Sequence, residues 1–527
     1  MHRKPFLLLL CAALLALVLL FGCTQDPVQQ PEADASSMPS EPPAPTPAPT
    51  PVPTPEPILL DGRTFSGDET ELALVLTAAE MPVLERFPNL AVLDLSGSEC
   101  YDAIEAYRAA HPDVDVRFTV PVEGRDVPHD TEELSVSAPV DPALLSHLHA
   151  LRHLTVTEPL SPADAEALLS VLPAEALTYS VSFCGLTVPS DADSLDLSEV
   201  SPEQLDEILP ALPVLPSLSR IRLDPESGAS RWTLEQAGEI GRVRADVPVD
   251  LTVTVFDTTF NLTDESVTFL KIDLSDRLDE VRNVLSCAPH VGRMVFDQCK
   301  IPDEQLAELR SEFSSPKVVW RIFMKYYSCL TDVIMIRFSD NDELRKLYDK
   351  DTAPLVYCNE VRYLDLGHDH ITDAYFVANM PDLEVLILAV GDGTDISALK
   401  NCPKLEYCEI FSCHVADISA LANCTELEHL NICRTEITDI TPLYGLKKLK
   451  RLWLSRSPIP TEQIEEIRRL LPDCIVDTTA YDPTGEGWRY YGYYIDNYTP
   501  RYRLLREQMC YDRLWIRSYS EYDRARW

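Results

Sequence analysis

The sequence predicts an α/β solenoid, a curved parallel sheet with short helices on its convex side, and three observations carry that reading. From residue 361 the pattern L-x-x-L-x-L returns every 22 residues: Leu364, Leu386, Cys408, Leu430 and Leu452 hold one column, and Asp373, Asp395, Asp417 and Asp439 hold another. Upstream, four unbroken alternating runs (114–120, 177–183, 249–255 and 318–324) each follow a helix-like stretch ending near a proline. A coarser unit of 61 to 73 residues links Leu93, Leu154, Ile221, Met294 and Leu364. A repeat this short cannot bury its own leucines, so neighbours must stack and join their strands into a ladder.

Residues 1–22 begin with Arg3 and Lys4, run apolar to Phe21 and end at Gly22, before Cys23. This resembles a bacterial lipoprotein signal peptide, with Leu20 at −3, a small residue at −1 and the lipidated cysteine at +1; Phe21 departs from the small residue usual at −2. The resemblance implies acylation of Cys23 and a lipid-anchored chain on the extracellular side of the cell membrane; the alternative is an uncleaved anchor. Residues 23–57 supply a disordered spacer. Twelve prolines fall between 26 and 57 with Met38 the one large hydrophobe besides valine, so the segment cannot bury a core and extends as polyproline.

Residues 58–88 are the candidate N-terminal cap, including a helical-looking 69–80. Residues 89–355 read as an irregular form of the same solenoid, the alternative being a separate α/β domain. Strand cores fall at Leu93/Leu95, Leu134/Val136, Leu154/Val156, Leu195/Leu197, Ile221/Leu223, Ile272/Leu274, Met294/Phe296 and Ile334/Ile336. With the alternating runs and the regular repeats they make 18 strands, one per solenoid turn. Residues 356–477 are the regular repeats, closing in a helix over 460–471 and a last strand at 474–476.

The regular segment resembles the leucine-rich repeat family, in its 22-residue internalin-like class, over about 120 residues; Asp439-Ile440-Thr441-Pro442-Leu443 matches the family's DIxxL turn. The ninth position of that class, usually Asn, is Asp369, Gly391, Cys413, Thr435 and Ser457, which predicts an incomplete, water-mediated turn. The resemblance also implies that residues flanking the inward leucines face outward from the concave sheet. Those are Tyr363, Asp365, Val385, Ile387, Tyr407, Glu409, Phe411, His429, Asn431, Arg434, Arg451, Trp453 and Arg456. Their aromatic and Arg content is that of a protein-binding hot spot, and the alternative is that they cover themselves with the C-terminal tail.

That tail, residues 478–527, inverts the chain's composition. From residue 488 it holds 9 Tyr, 3 Trp and 8 Arg against 5 acidic residues, which suits a cap on the array or an aromatic surface for wall polysaccharide. Elsewhere acid dominates: 85 Asp+Glu against 45 Lys+Arg give a net charge of −40, which repels nucleic acid. With 17 Gly in 527 residues, and no GxxxxGK[ST] or GxGxxG, phosphate-cradling loops are excluded.

Catalytic and metal residues are sought and none is assigned. Of 15 cysteines, 13 remain after the signal and Cys23, an odd number. Cys402, Cys408, Cys413, Cys424 and Cys433 are read as core, since Cys402 and Cys424 share the Met380 column and Cys408 the Leu364 column; a metal site or one disulfide among them are the alternatives. His368-Asp369-His370 with Asp373, and His147, His149 and His153, are weighed as metal ligands and set aside as solvated positions. The expected function is a non-catalytic binding or adhesion module for a protein partner, needing no cofactor. A wall-glycan-binding lipoprotein is the alternative, and an enzyme with a site in the N-terminal half the distant one.

Overall fold

The computed structural model describes residues 57–492 and 497–526. The signal peptide, Cys23 and nearly all of the spacer lie outside them. The described chain divides into two units at Gly67/Asp68. The first holds one antiparallel hairpin, Ile58–Leu60 with Arg63–Phe65. No helix among the described residues is long and apolar enough to cross a membrane.

The second unit is a leucine-rich repeat solenoid. In its regular part the strands Tyr363–Asp365, Val385–Ile387, Tyr407–Glu409, His429–Asn431 and Arg451–Trp453 pair in parallel, each residue opposite the one 22 positions on. The ladder continues to Val333–Arg337 on one side and Ile475–Asp477 on the other. Leu364, Leu386, Cys408, Leu430 and Leu452 all lie at 0 % exposure, so the column read in the sequence is the core. The aspartate column turns each repeat: Asp395, Asp417 and Asp439 accept the N–H of Ser397, Ser419 and Thr441 at 2.7, 2.7 and 2.9 Å, opening short 3-10 turns.

At the ninth-position turn four of the five repeats make side-chain hydrogen bonds within the protein. Asp369 Oδ1 accepts Leu347 N–H at 2.9 Å, Cys413 Sγ donates to Leu388 O at 3.1 Å, and Thr435 and Ser457 hydroxyls donate to Ile432 O at 2.9 and 2.7 Å. Gly391 has no side chain to contribute, and a Cβ there would stand 2.7 Å from Asp369 O. The five cysteines weighed as a cluster are buried in this core, and burial pushes the Cys402 and Cys424 thiols up to about 12.

Upstream the ladder is not one strand per turn throughout. It is built of four modules, each of three parallel strands followed by an antiparallel arm. The first module pairs Glu71–Ala73, Val92–Asp94 and Asp115–Arg117, then folds Thr119–Val122 onto Arg125–Pro128. The second pairs Glu133–Val136, His153–Val156 and Leu177–Thr178, with Ser180–Phe183 on Leu186–Pro189. The third pairs Ser194–Asp196, Arg220–Arg222 and Val249–Asp250, with Thr252–Val255 on Thr258–Asn261. In the fourth, Val267–Leu270 and Arg293–Asp297 pair with Lys317–Met324, whose far half folds onto Tyr327–Leu330.

Each predicted alternating run is therefore two things: a parallel strand and the first leg of a hairpin. The loops are two residues long, and Glu123-Gly124, Cys184-Gly185 and Phe256-Asp257 all have positive φ, the backbone that matches strand twist in so tight a turn. Two other expectations are corrected. Residues 69–80 hold no helix; Leu72, Leu74 and Leu76 are buried while Ala73 and Val75 are exposed, a period of two that makes Glu71–Ala73 the first strand of the array. Ile272/Leu274 is not a strand, since the chain enters the sheet at Val267–Leu270 straight from the hairpin and Lys271, at φ 55°, ends it.

Candidate functional site

Burial separates the strand face into two parts. In the first three modules most positions flanking the core residue are open or half-open: Glu71, Ala73, Asp115, Arg117, Ser194 and Asp196 are exposed, Val92, Asp94, His153, Thr155 and Arg222 half-buried, and Asp250 buried. From Arg293–Asp297 to Arg451–Trp453 the same positions are buried, save Lys317 and Arg321, which are half-buried. The strands do not change; what covers them does. The C-terminal segment, 478–526, runs along this face.

The sequence reading offers thirteen residues here to a partner. Eleven of them (Tyr363, Asp365, Val385, Ile387, Tyr407, Glu409, Phe411, His429, Asn431, Arg451 and Trp453) lie buried against the chain's own tail. Only Arg434 and Arg456, at the strand ends, are exposed. Even these meet the tail, Arg434 donating to Tyr481 O at 2.6 Å and Arg456 lying 4.8 Å over the Tyr481 ring. The physical reason is the tail's composition: its own Trp, Tyr and Arg complete contacts that would otherwise await a ligand.

Trp488 is the anchor. It is fully buried, with ring centroids 5.4 Å from Tyr407 and 5.3 Å from Trp453 and the Arg451 guanidinium 4.7 Å above it. Its indole N–H donates to Glu409 Oε1 at 2.6 Å. Glu409, buried completely on the sheet, also receives Arg489, whose Nε lies at 3.0 Å, and the Tyr407 hydroxyl. Burial, the largest single influence, would raise the Glu409 carboxyl; the Arg489 charge and the hydrogen bonds from Arg489, Tyr407 and Trp488 together outweigh it, and the net direction is down. His429 goes the other way: burial, then the Arg451 charge, lowers it to about 2, so it is neutral and accepts from Arg451 Nε at 3.0 Å.

Further along, Asn431 Nδ2 donates to Pro483 O at 2.8 Å, and Tyr511 OH donates to Asp365 Oδ2 at 2.7 Å. Within the tail a helix forms over Pro500–Gln508 and buries Leu505 in the cluster that holds Tyr363 and Tyr407. It lies across the strand face, not on the end of the array. Ser518–Ser520 then adds an antiparallel strand to Val333–Arg337, and Arg526 reaches Glu265 in the fourth module. The tail leaves Tyr481, Tyr491 and Trp515 exposed, at 73, 49 and 79 %.

The histidines weighed as ligands hold local roles. His370 lies between Glu343 and Asp392, 2.7 Å from each, and these two hydrogen bonds raise its pKa. His147 and His149 share Glu105 Oε1 at 2.8 and 3.0 Å, and His153 meets Thr178 Oγ1 at 2.9 Å. Asp369 is the outlier: burial pushes it up to about 7, and its Oδ2 has no partner among the described residues.

What stays open is the strand face of the first three modules. Within the face Arg222 pairs with Asp196 at 2.8 Å and Arg220 with Asp250. An open cavity of about 520 Å³ lies over Asp196, Arg220, Arg222 and Asp250.

No family model matches the chain, and no curated protein matches it. Among solved structures it is similar to internalin C2 of Listeria monocytogenes (22 % identity over 25 % of this chain and 69 % of that one, TM-score 0.21). It is also similar to the internalin InlF of the same organism (16 %, 80 % of this chain and 86 % of that one, 0.23). A leucine-rich repeat protein of Leptospira interrogans matches at 17 % over 78 % of this chain and 96 % of that one, at 0.25. The leucine-rich repeat assignment stands on the 22-residue ladder itself.

Proposed function

We propose that the protein is a non-catalytic binding module, held by lipid at Cys23 on the outer side of the cell membrane, that recognises another protein through its strand face. The supporting observation is the contrast along that face. Where the tail lies, the sheet is satisfied; in the first three modules a rigid, polar, solvent-exposed stretch is left. Rigid sheets that display side chains in fixed columns lose little entropy on binding. The columns from Tyr363 to Arg456 serve, in this reading, to seat the tail, and contact a partner only where the tail yields. The net charge of −40 favours a basic partner by steering and disfavours acidic ones.

Photocrosslinkers placed at Arg117, His153 and Arg222 on the strand face, and at Glu166 and Glu239 on the helices, test this on cells. Protein adducts from the first three positions only are expected; equal adducts from both sides, or none from either, refute it. Fatty-acid labelling of wild type against Cys23→Ser tests the anchor, and equal label in both rejects it. A wall-glycan role through the tail rests on its exposed Trp515 and Tyr481 and is tested separately below.

A further inference from the structure

The four modules hold the same hairpin in four settings. In a two-residue hairpin alternate residues turn their main-chain N–H and C=O away from the partner strand. In the second module these are Ser180 and Ser182, and Leu160 fills the place beside them. Its N–H donates to Ser180 O and its carbonyl accepts from Ser182 N–H, both at 2.8 Å, making a one-residue parallel bridge to Val181. Leu160 and Val181 are both fully buried as a result.

The first module blocks the same edge, because Pro121 stands where Ser182 stands and has no N–H. The third leaves it open. Between Arg220–Arg222 and its helix Leu234–Val243 the connecting loop spans 223–233, eleven residues, where the second module uses five, 157–161. Trp232 precedes the helix cap as Leu160 does, but it turns its indole N–H to Leu197 O at 3.1 Å and does not pair with the hairpin. Thr252 N–H is capped by Asp224 at 2.8 Å. Thr252 C=O and Thr254 N–H have no partner among the described residues, and Val253, the counterpart of Val181, is half-exposed. The fourth module also leaves Phe323 open, without the long loop that walls the third.

Beside the third-module edge lies a cleft of about 880 Å³ between loop 223–233, the hairpin and two helices. Its apolar lining includes Trp232, Val253, Val255 and Phe256. Among the described residues its one lining cation, Arg277, is engaged by Glu280 at 2.6 Å and lies 4.6 Å over the Phe256 ring. Asp224 and Glu235 leave the mouth negative.

We infer that this cleft binds an extended segment of a partner protein as an added parallel strand, with an apolar side chain over Val253 and basic residues toward Asp224 and Glu235. The inference rests on the binding-module reading above and names its ligand chemistry. Main-chain pairing supplies affinity and the side-chain places supply selectivity. The occupant's main chain takes the part Leu160 plays in the second module.

Fluorescent peptides of the form Lys-X-Leu-X-Lys, titrated into the detergent-purified full chain, test it. The tightest member is expected to weaken at least tenfold on Thr254→Pro, which copies the first module's own Pro121 and so preserves the hairpin. It should weaken as much when the peptide's leucine is N-methylated. Where Thr254→Pro disturbs the far-UV spectrum, Val253→Lys is read in its place. No binding by any panel member, or binding indifferent to both changes, overturns the inference. Crosslinked partners that persist on Thr254→Pro overturn strand addition alone, whereas absence of adducts from every strand position removes the broader reading.

Discussion

Replacing Asp369 with Asn should flatten the pH dependence of stability, and the structure sets the size of the effect. The carboxyl is 2 % exposed, Oδ1 accepts Leu347 N–H, and Oδ2 faces no donor among the described residues. Burial, reinforced by nearby Asp365 and opposed by Lys346 and His370, raises its pKa from 3.8 to about 7. Between those values the folded chain holds a proton that the unfolded chain has released. Stability from this group is therefore complete below about pH 4 and is lost as pH rises through 7. At about 1.4 kcal/mol per unit, the loss from pH 5 to pH 8 is at most about 3 kcal/mol. Asn keeps the acceptor for Leu347 N–H and does not titrate. Urea unfolding of both proteins at pH 5 and pH 8 should show the Asn variant gaining on wild type by roughly 2–3 kcal/mol at the higher pH; other titrating groups cancel in the comparison. A gap that is constant across this range, or that narrows, refutes the assignment of a protonated Asp369.

Trp488→Ala should cost about 3–5 kcal/mol, the range for deleting a buried aromatic, measured by urea unfolding, with faster proteolysis within 478–526 as its second sign. Glu409→Gln leaves Arg489 without its buried counter-charge and should cost roughly 3–5 kcal/mol; Glu428→Gln, facing exposed Lys450, should cost under about 1 kcal/mol. Similar losses from the two would mean that the Glu409 site is wetter than described. Tyr407→Ala/Trp453→Ala should release the tail to protease while leaving adducts from Arg222 intact. Trp515→Ala should shift stability by no more than about 0.5 kcal/mol, and unchanged retention on purified wall polymer would remove Trp515 from the glycan reading.

The regular repeats were legible because identity recurs in columns: Leu364 to Leu452 and Asp373 to Asp439 repeat residue type as well as polarity. The hairpin arms were not, and the reason is physical. A strand that pairs in parallel and then turns into an antiparallel leg keeps its side-chain alternation unbroken through residues such as Val116, Phe118 and Val120, so the pattern carries no mark of the change of partner. The turn signal was Gly at Gly124 and Gly185, but Phe256-Asp257 and Lys325-Tyr326 offer none. Tyr407 and Trp453 pack with the tail, in a cluster apart from Leu430. A column's direction does not say what stands opposite. The aromatic and Arg-rich tail was visible as a composition change, yet its seat on the face, anchored by Glu409 with Trp488 and Arg489, depends on contacts some 80 residues apart in sequence that no periodicity records. Thr254 N–H and Thr252 C=O, the groups that carry the proposed peptide site, belong to the main chain and have no sequence signature.

The strand Ser518–Ser520 completes the sheet at Val333–Arg337, and Arg337 Nη2 donates to Ile516 O across 179 residues. Ladder contacts between successive repeats span about 22 residues and form early, whereas this closure is distant and forms late. The middle of the array is thus the last part to be finished. A chain emerging N-terminus first keeps Val333–Arg337 unpaired on that edge, and the Tyr407–Trp453 face uncovered, until residues 478–520 arrive. A chain lacking Ser518–Ser520 would carry intact repeats and still present an unsealed edge at Val333–Arg337 to proteases.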